Sequence, residues 1–357
     1  MPSLTRVLDR TACWAPWPKR DRTCFLNLRP SLGGPGLFAQ KLVREFENQG
    51  ISSTFRQLRS AQTALLFSVS WGNWFHRLCR SWRVRTVLRV DGFSVPAYFD
   101  NRPQQKDYQD RRLKLEDMAQ NYRLQRDLLM SDFIIYQSVF SKHLADQYLY
   151  RRQDGFAVIH NGVDLQHFHP GLPRRGRLRL LSLGVLRDEY MLGTVLPVFA
   201  HLWQRFDLEL HVVGSLAPIC WRQIEAFRQN YPEASDRIQV VDSVNNDDLP
   251  RYIQQSDLLV HPRLGDSCPN VVIEAMACGV PVVCGSWGGT SELVGEGGVV
   301  VPTGQWTYGE KFISDLCGAA TIILENLDSY KSKARQRAEQ AFDIQNVARE
   351  YARSMGI

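Results

Sequence analysis

Short apolar segments of four to six residues alternate along the chain with longer amphipathic segments, as in proteins built from parallel strands and covering helices. In the first half, the segments that predict strands are Cys24–Leu28, Ala64–Val69, Thr86–Val90, Phe133–Tyr136 and Ala157–His160. After residue 170 the alternation restarts, and the predicted strands are Leu178–Leu183, Leu208–Val213, Ile238–Val241, Leu258–His261 and Val280–Cys284. The pattern therefore predicts an α/β fold with parallel sheets.

Turn-forming residues divide this alternation into two parts. The turn cluster His160–Asp164 leads into Pro170–Arg177, which has the composition of a linker. We therefore predict two α/β domains, residues 1–170 and 171–330. The last stretch, about Ser329–Ser354, has a helical pattern. Residues 331–357 are accordingly predicted to form a C-terminal helix that crosses back to the N-terminal domain.

Positive charge is concentrated in the first half of the chain. The net charge is +6, but residues 1–170 hold 25 Lys and Arg against 15 Asp and Glu, a net +10, and the remainder has a net −4. This asymmetry predicts that the N-terminal half meets an anionic partner, such as a membrane surface or an acidic acceptor. No recognised nucleic-acid-binding motif accompanies the charge, so nucleic acid is not expected as a partner.

One short segment combines aromatic and basic residues. Trp71, Trp74, Phe75 and Trp82 interleave with Arg77, Arg80, Arg83 and Arg85. One interpretation is a patch that touches a membrane or a lipid-linked acceptor. The other is a helix that packs its aromatic side and solvates its arginines. Because the segment is short and interrupted by Gly72, the pattern favours packing.

Cysteine usage and the N-terminus indicate a cytoplasmic protein. The eight cysteines include no Cys-x-x-Cys pair and no cluster with zinc-ligand spacing. Residues 1–22 contain five Lys and Arg without a continuous apolar core, unlike a signal peptide. No apolar run approaches the roughly 18 residues needed to span a bilayer. We expect a cytoplasmic chain with peripheral contact to the inner face of the membrane.

The stretch that carries most chemical information follows the strand Leu258–His261. A loop leads to Pro269, and a predicted helix then ends at Gly279. Free N–H groups and the partial positive charge at a helix N-terminus suit a phosphate, and Glu274, one turn further, could accept hydrogen bonds from ribose hydroxyls. Alternatively, Glu274 is a buried residue satisfied by local backbone groups. A second glycine loop, Gly285–Glu292, is either part of this site or an ordinary strand-to-helix turn.

Several segments, taken together, resemble glycosyltransferase family 4. The segment Asp266–Val283 resembles the family signature, in which two acidic residues with seven residues between them precede Ala-(Met/Leu)-Ala-x-Gly-x-Pro-Val-Val. Further similarities lie, in the family's order, at Gly33-Gly34, Gln137–Lys142, His160–Asp164 and Gly288–Val294. The resemblance implies the GT-B fold: two Rossmann-like, doubly wound domains facing across a cleft that binds a nucleotide diphosphate-sugar. It also implies transfer with retention of anomeric configuration.

The resemblance also implies roles for individual residues. Glu274 would hold the ribose, and the backbone N–H groups of Asn270 and Val271 would face the sugar and the diphosphate. Asp266 would lie near the transferred sugar. Arg187 and Gly214 would complete the donor site. In the N-terminal domain, Gly33 and Gly34 would form the acceptor-side loop.

Three positions depart from the family pattern. Asp266 replaces a glutamate, which shortens the side chain by roughly 1.5 Å. The segment Gly184–Gly193, where the family usually has an arginine and a lysine, keeps only Arg187 as a cation. Asp91 stands in Arg89-Val90-Asp91-Gly92, where the family often has a His-Gly or His-Asp pair. Asp91 and Asp266 both follow strands, so each either faces the transferred sugar as a catalytic carboxylate or caps a local turn.

The sequence thus predicts a retaining glycosyltransferase that moves a sugar to a glycan or lipid-linked acceptor, as in polysaccharide biosynthesis. No metal or other cofactor is expected, because the chain lacks an Asp-x-Asp motif that would tie a diphosphate to a metal. One alternative is an inactive GT-B relative that binds a nucleotide-sugar or a partner enzyme. Another is a GT-B nucleotide-sugar epimerase.

Overall fold

The computed structural model describes residues 22–27, 34–68, 70–95 and 111–357. These residues form two compact units. The first unit runs to Gly162 and resumes with Ile344–Ile357, and the second contains Val163–Asp343.

The first unit is built on a parallel six-stranded sheet. Its strands are β1 (Thr23–Leu26), β2 (Ser52–Thr54), β3 (Thr63–Phe67), β4 (Arg85–Val90), β5 (Phe133–Tyr136) and β6 (Phe156–Val158), in the order β2-β1-β3-β4-β5-β6. Its helices are α1 (Gly34–Asn48), α2 (Asn73–Ser81), α3 (Arg111–Met130), α4 (Val139–Tyr148) and the C-terminal α12 (Ile344–Met355). Helices on both faces bury the apolar side chains of the strands, which read as continuous hydrophobic runs for that reason.

The second unit contains another parallel six-stranded sheet. Its strands are β7 (Leu178–Leu183), β8 (Leu208–Val213), β9 (Ile238–Val241), β10 (Leu258–His261), β11 (Val282–Gly285) and β12 (Gly298–Val301), in the order β12-β11-β10-β7-β8-β9. Its helices are α5 (Glu189–Leu202), α6 (Pro218–Asn230), α7 (Leu249–Gln254), α8 (Asn270–Ala277), α9 (Thr290–Val294), α10 (Glu310–Glu325) and α11 (Leu327–Ala341). This is the doubly wound Rossmann order, in which the order of strands reverses between β7 and β10 while all strands stay parallel.

The end of the chain contains two helices where the sequence predicted one. Between them, the backbone N–H of Val163 donates to Phe342 O at 2.8 Å, and Val163 forms an isolated parallel bridge with Asp343. Helix α11 packs on the second unit through Ala334 and Ala338. Helix α12 packs on the first unit through Ile344, Val347 and Tyr351. The helix breaks at Phe342 and Asp343, where the chain that re-enters the first unit pairs with Val163. The periodicity of the helical pattern cannot predict such a tertiary contact.

The segment before residue 170 packs on the second unit. Phe168 is buried in that unit's core, and Arg335 Nη1 donates to its backbone oxygen at 2.9 Å. The contacts therefore place the division between the units at Gly162, ahead of the Pro-Gly segment that suggested residue 170. In the part of the chain that the structure describes, no helix is both long and apolar enough to cross a membrane.

Two glycines bring the ends of β7 and β8 close together. Beyond the strands, the backbone N–H of Leu186 donates to Ser215 O at 2.8 Å, so the two following loops stay paired. Gly214 has φ +122°, and a Cβ there would overlap the carbonyl group of Gly184. Only glycine accommodates both this φ and this contact.

We expect Gly214→Ala to destabilise the protein by about 2 kcal/mol or more, since backbone strain and overpacking each cost roughly 1–3 kcal/mol. Gly318→Ala is the matched control, because Gly318 lies in α10 with no heavy atom within 4 Å of an added Cβ. The control should gain up to about 1 kcal/mol from helix propensity. Urea unfolding of both variants measures the difference, and equal stability of the two would contradict the close contact.

Candidate functional site

The candidate donor site lies at the carboxyl ends of β7 and β10, in the second unit. These strands pair in parallel with Leu181 opposite Leu259, so they end at the same level of the sheet. The chain leaves them toward opposite faces, which opens a crevice at the carboxyl edge. Open α/β sheets bind their ligands at such a switch point.

Helix α8 begins at this crevice. Its N-cap residue is Pro269, which has no side-chain oxygen to accept from the first N–H groups of the helix. Ser267 precedes the helix start by three positions and does not cap the helix. A Cβ placed at Gly184 would lie 3.9 Å from Val271 Cγ1, so the first turn of α8 packs against the end of β7.

Glu274 lies on α8 one turn after the helix start and is 5% exposed. Asn270, the first residue of the helix, is half-buried. Because helical side chains lean toward the N-terminus, the Glu274 carboxylate and the first N–H groups of α8 belong to the same end of the helix. The structure therefore brings together Asn270, Val271 and Glu274 at one end of α8.

Two loops cross-link around Asp266. The backbone N–H of Gly265 donates to Trp287 O, and the backbone N–H of Gly289 donates to Asp266 O, both at 2.8 Å. Gly288 has φ +145°, and its Cβ would lie 3.2 Å from Asp266 O. The second glycine loop thus fixes the backbone that carries Asp266.

The Asp266 side chain is half-buried in this loop, and Oδ1 accepts from the backbone N–H of Cys268 at 3.2 Å. Burial raises the pKa of Asp266 above its ordinary value, although the Arg263 charge and backbone hydrogen bonds act in the opposite direction. The carboxylate therefore caps a local turn. That bond occupies one oxygen and is compatible with a contact of the other oxygen to a ligand.

The other residues assigned to the donor site lie on the neighbouring loops. Arg187 is exposed in the loop between β7 and α5. Gly214 follows β8 directly and serves the backbone contact with Gly184. Among the described residues, no three His, Cys, Asp or Glu side chains form a group that could hold a metal ion.

In the first unit, Asp91 is engaged by other side chains. Arg89 Nη1 and Gln137 Nε2 donate to Oδ1, the latter at 3.1 Å, and Ser68 Oγ donates to Oδ2 at 2.6 Å. Asp91 is 6% exposed and Arg89 is 1% exposed. These contacts give Asp91 a structural task as the counter-ion of a buried arginine, whatever it contributes to catalysis.

The other predicted features of the first unit are the acceptor-side glycine loop and the aromatic segment. Gly33 lies outside the described residues, and Gly34 is the exposed first residue of α1. Trp71 and Phe75 pack edge to face with ring centroids 5.0 Å apart, and both contact the core. Trp74, however, is 50% exposed. Most rings of the aromatic segment therefore pack inward, as in the packing interpretation, and Trp74 faces outward, as in the surface-patch interpretation.

Comparisons with solved structures identify the architecture. Sucrose-phosphate synthase from Thermosynechococcus elongatus matches with a TM-score of 0.72 at 15% identity, over 94% of this chain and 98% of that chain. HepE from Anabaena in complex with UDP matches with a TM-score of 0.68 at 16% identity, over 94% and 99%. The lipopolysaccharide outer core galactosyltransferase WaaB matches with a TM-score of 0.64 at 13% identity, over 94% and 98%. This chain has the GT-B fold.

Sequence comparisons agree for the second GT-B unit. Residues 177–316 match the family model of the glycosyl transferases group 1, which confirms the predicted resemblance over this segment. D-inositol 3-phosphate glycosyltransferases of Mycobacterium bovis and Mycobacterium tuberculosis are 29% identical over 183 residues. That alignment covers 45% of this chain and 36% of those relatives, so this chain matches about a third of their length. Residues 177–316, which match the family model, contain every residue assigned to the donor site.

Arg263 also lies at the crevice of this GT-B unit, although no role was predicted for it. Arg263 follows β10, and its Nη2 donates to Val185 O at 3.2 Å, across the crevice between β7 and β10. The sequence did contain an indication of this position: a cation two positions after a buried strand lies at the carboxyl edge of the sheet, where ligands bind. The partner loop is 78 positions away in sequence, and local patterns do not record such a contact.

We expect Asp91→Asn and Asp266→Asn to affect stability in opposite ways. Asp91→Asn removes the charge that balances the buried Arg89, and breaking such a pair costs about 3 kcal/mol. Asp266→Asn keeps an oxygen for the Cys268 N–H and removes a carboxylate whose ionisation is opposed by burial. It should be neutral or stabilising at pH 7.

The pH dependence provides the check. Because the folded-state pKa of Asp266 is raised, its ionisation costs stability as pH rises through that pKa, and the cost is absent below its unfolded pKa of about 3.9. Urea unfolding at pH 7 and pH 3 should therefore show that the advantage of Asp266→Asn over wild type disappears at pH 3. An advantage that is equal at both pH values would show that charge burial is not its cause.

Proposed function

We propose that this protein is a retaining glycosyltransferase that moves a sugar from a nucleotide diphosphate-sugar to a glycan or lipid-linked acceptor. The observation that carries the proposal is the start of α8: the helix begins after Pro269 at the carboxyl edge of the sheet, its first turn packs against the end of β7, and the buried Glu274 lies one turn further. HepE, which shares the fold, has been solved with UDP and with UDP-glucose.

Each part of this arrangement has a task in the proposed reaction. The diphosphate lies at the N–H groups of Asn270 and Val271, where the helix dipole favours negative charge. Glu274 accepts hydrogen bonds from the ribose hydroxyls. Arg187 adds positive charge, and Gly214 holds the end of β8 against Gly184 at the end of β7, beside the ligand. Asp266 faces the transferred sugar.

The chemical step uses these groups to stabilise the leaving group. The acceptor hydroxyl oxygen bonds to the anomeric carbon as the bond between that carbon and the phosphate oxygen breaks. The diphosphate leaves with the electron pair, and the hydroxyl proton passes to the leaving phosphate. Preorganised N–H donors and arginine lower the barrier most where charge develops in the transition state. The same groups supply the positive charge for which other transferases use a metal, so we propose metal-independent turnover.

The engagement of Asp91 favours one rival. Because Asp91 is committed to Arg89, the first unit offers a weaker case for a catalytic carboxylate, as expected for an inactive relative that binds nucleotide-sugar or a partner enzyme. A GT-B epimerase is the other rival. The acceptor dependence of nucleoside diphosphate release distinguishes all three.

We expect nucleoside diphosphate release from a panel of nucleotide-sugars only when a glycan or lipid-linked acceptor is present, and the rate should not fall in EDTA. Release without acceptor accompanied by conversion of the donor sugar would indicate an epimerase. Donor binding without release across the acceptor panel would indicate an inactive relative. Restoration of an EDTA-abolished rate by manganese or magnesium would refute metal independence.

In the same assay, Glu274→Gln should weaken donor binding by about 1.5–3 kcal/mol, the contribution of a charged hydrogen bond, with a smaller effect on turnover at saturating donor. Glu296→Gln is the control, since Glu296 belongs to the same unit and its side chain is 86% exposed. If Glu274 is instead structural, its variant should lose melting temperature without ligand and keep its donor affinity.

We also propose that the first unit contacts an anionic membrane surface. Met118, Tyr122 and Leu129 form an exposed apolar stripe on α3, one to two turns apart. Trp74 lies beside α3, because a Cβ at Gly72 would be 3.6 Å from Trp74 and 3.8 Å from Arg126 of α3. The neighbouring Arg77, Arg80, Arg83 and Arg123 are exposed. Exposed apolar and aromatic side chains combined with exposed arginines suit the interface of an anionic bilayer.

We expect the protein to co-sediment with phosphatidylserine-containing vesicles at low salt and to dissociate as salt screens the arginine charges. Replacing Met118 and Tyr122 by serine should reduce binding at least threefold. Leu172→Ser should not, although Leu172 is more exposed, because it belongs to the second unit and not to α3. Absence of binding at low salt, or equal loss in both variants, would count against this surface.

A further inference from the structure

The loop between β7 and α5 carries little positive charge for a diphosphate site. Arg187 is its cation, and it is exposed to solvent. Asp188 and Glu189 follow directly, so the three charged side chains sum to a net −1. A nucleoside diphosphate brought to this crevice therefore needs positive charge from another element.

Arg263 reaches this loop from the opposite side of the crevice. It belongs to the loop between β10 and α8, yet its Nη2 donates to Val185 O at 3.2 Å and lies 3.7 Å from Met191 Sδ. Val185 belongs to the β7–α5 loop and Met191 to the first turn of α5. A half-buried guanidinium thus lies over the loop that is short of positive charge.

The charge of Arg263 acts on the groups around the crevice. Burial is the main cause of the low pKa of His261, about 3, and Arg263 lowers it further. Arg263 also opposes the effect of burial on Asp266. His261 ends β10 and Asp266 lies in the loop that follows, so the field of Arg263 covers the edge of the sheet next to α8.

The guanidinium has donors to offer a ligand. It carries five N–H groups on three nitrogens. Within the described part of the chain, the hydrogen bonds of Arg263 start from Nη2, which fixes the plane of the group. Two N–H groups of one guanidinium can bind a phosphate in a bidentate way, which a lysine cannot do.

We propose that Arg263 binds the diphosphate of the donor, in place of the second cation absent from the β7–α5 loop. The inference rests on the proposed function, because it requires a nucleoside diphosphate at α8. It assigns the two sides of the crevice distinct tasks: α8 offers backbone N–H groups, and Arg263 neutralises the charge that the diphosphate keeps after the sugar departs.

Calorimetric titration with UDP, ADP and GDP tests the proposal, followed by the monophosphate of whichever nucleotide binds wild type most tightly. The ratio of diphosphate to monophosphate affinity reports the contacts of the second phosphate. We expect Arg263→Gln to lower this ratio at least tenfold. Arg263→Lys should lower it less, because lysine keeps the positive charge but cannot donate two parallel hydrogen bonds to one phosphate. Arg251→Gln, at an exposed arginine 4.0 Å from Asp248, should leave it unchanged.

The outcomes separate this inference from the proposed function. If none of the three diphosphates binds wild type, both fail. If one binds and both Arg263 variants keep the wild-type ratio, or if Arg187→Gln alone loses it, the inference is overturned and the proposed function stands. If the ratio falls in Arg263→Gln but wild type transfers no sugar, the inference stands without the reaction. Thermal unfolding without ligand verifies that each variant is folded. If Arg263→Gln does not fold, the affinity ratio of Arg263→Lys decides whether Arg263 binds the diphosphate.

Discussion

The first unit is organised around one buried cation. Arg89 lies in the middle of a parallel sheet at 1% exposure, and an uncompensated charge there would cost several kcal/mol. Its guanidinium donates to Asp91, to Asn161 Oδ1 at 2.8 Å and to Tyr351 Oη at 3.1 Å, and it lies 4.5 Å from the centre of the Phe38 ring. These partners come from the end of β4, the outgoing chain, the returning helix α12 and α1. The requirement to satisfy Arg89 therefore fixes where the chain leaves and re-enters this unit.

The same requirement changes how Asp91 is interpreted. The sequence placed Asp91 correctly at the carboxyl end of a strand, but its position alone left catalysis and turn capping as alternatives. Residues two apart on a strand share a face, so an arginine at 89 and an aspartate at 91 in an otherwise apolar strand carry a recognisable signal of an ion pair. The pair also explains why a carboxylate is tolerated there at 6% exposure. A catalytic contribution of Asp91 would have to come from a group that already neutralises Arg89.

Local pattern predicted most of the fold, and what it missed depends on contacts distant in sequence. The buried strands were recognisable because both faces of a parallel sheet are covered. Strand β2 was missed because Ser52–Thr54 is short and polar, and β12 because it opens with glycine. The break between α11 and α12 is imposed by pairing with Val163. In the site, the start of α8 was predictable from Pro269 and Gly279, whereas the reach of Arg263 to Val185 was not, since it joins two loops across the reversal of strand order.

The two sheets differ in the groups that lie at the carboxyl ends of their strands. This difference favours the second unit as the donor site. In the first unit the strand order reverses between β1 and β3, where the Asn27 side chain accepts from the Phe67 N–H at 2.7 Å and donates to the Phe67 carbonyl at 3.5 Å. A neutral side chain thus satisfies the backbone at that crevice. In the second unit the corresponding crevice contains a helix start without a side-chain cap and a guanidinium that spans it. Backbone donors at a helix start together with a guanidinium are the complement of a diphosphate. Within the described residues, the two units thus share a layered architecture but differ at the switch points of their sheets: the first has a neutral side chain there, and the second has a helix start and a guanidinium.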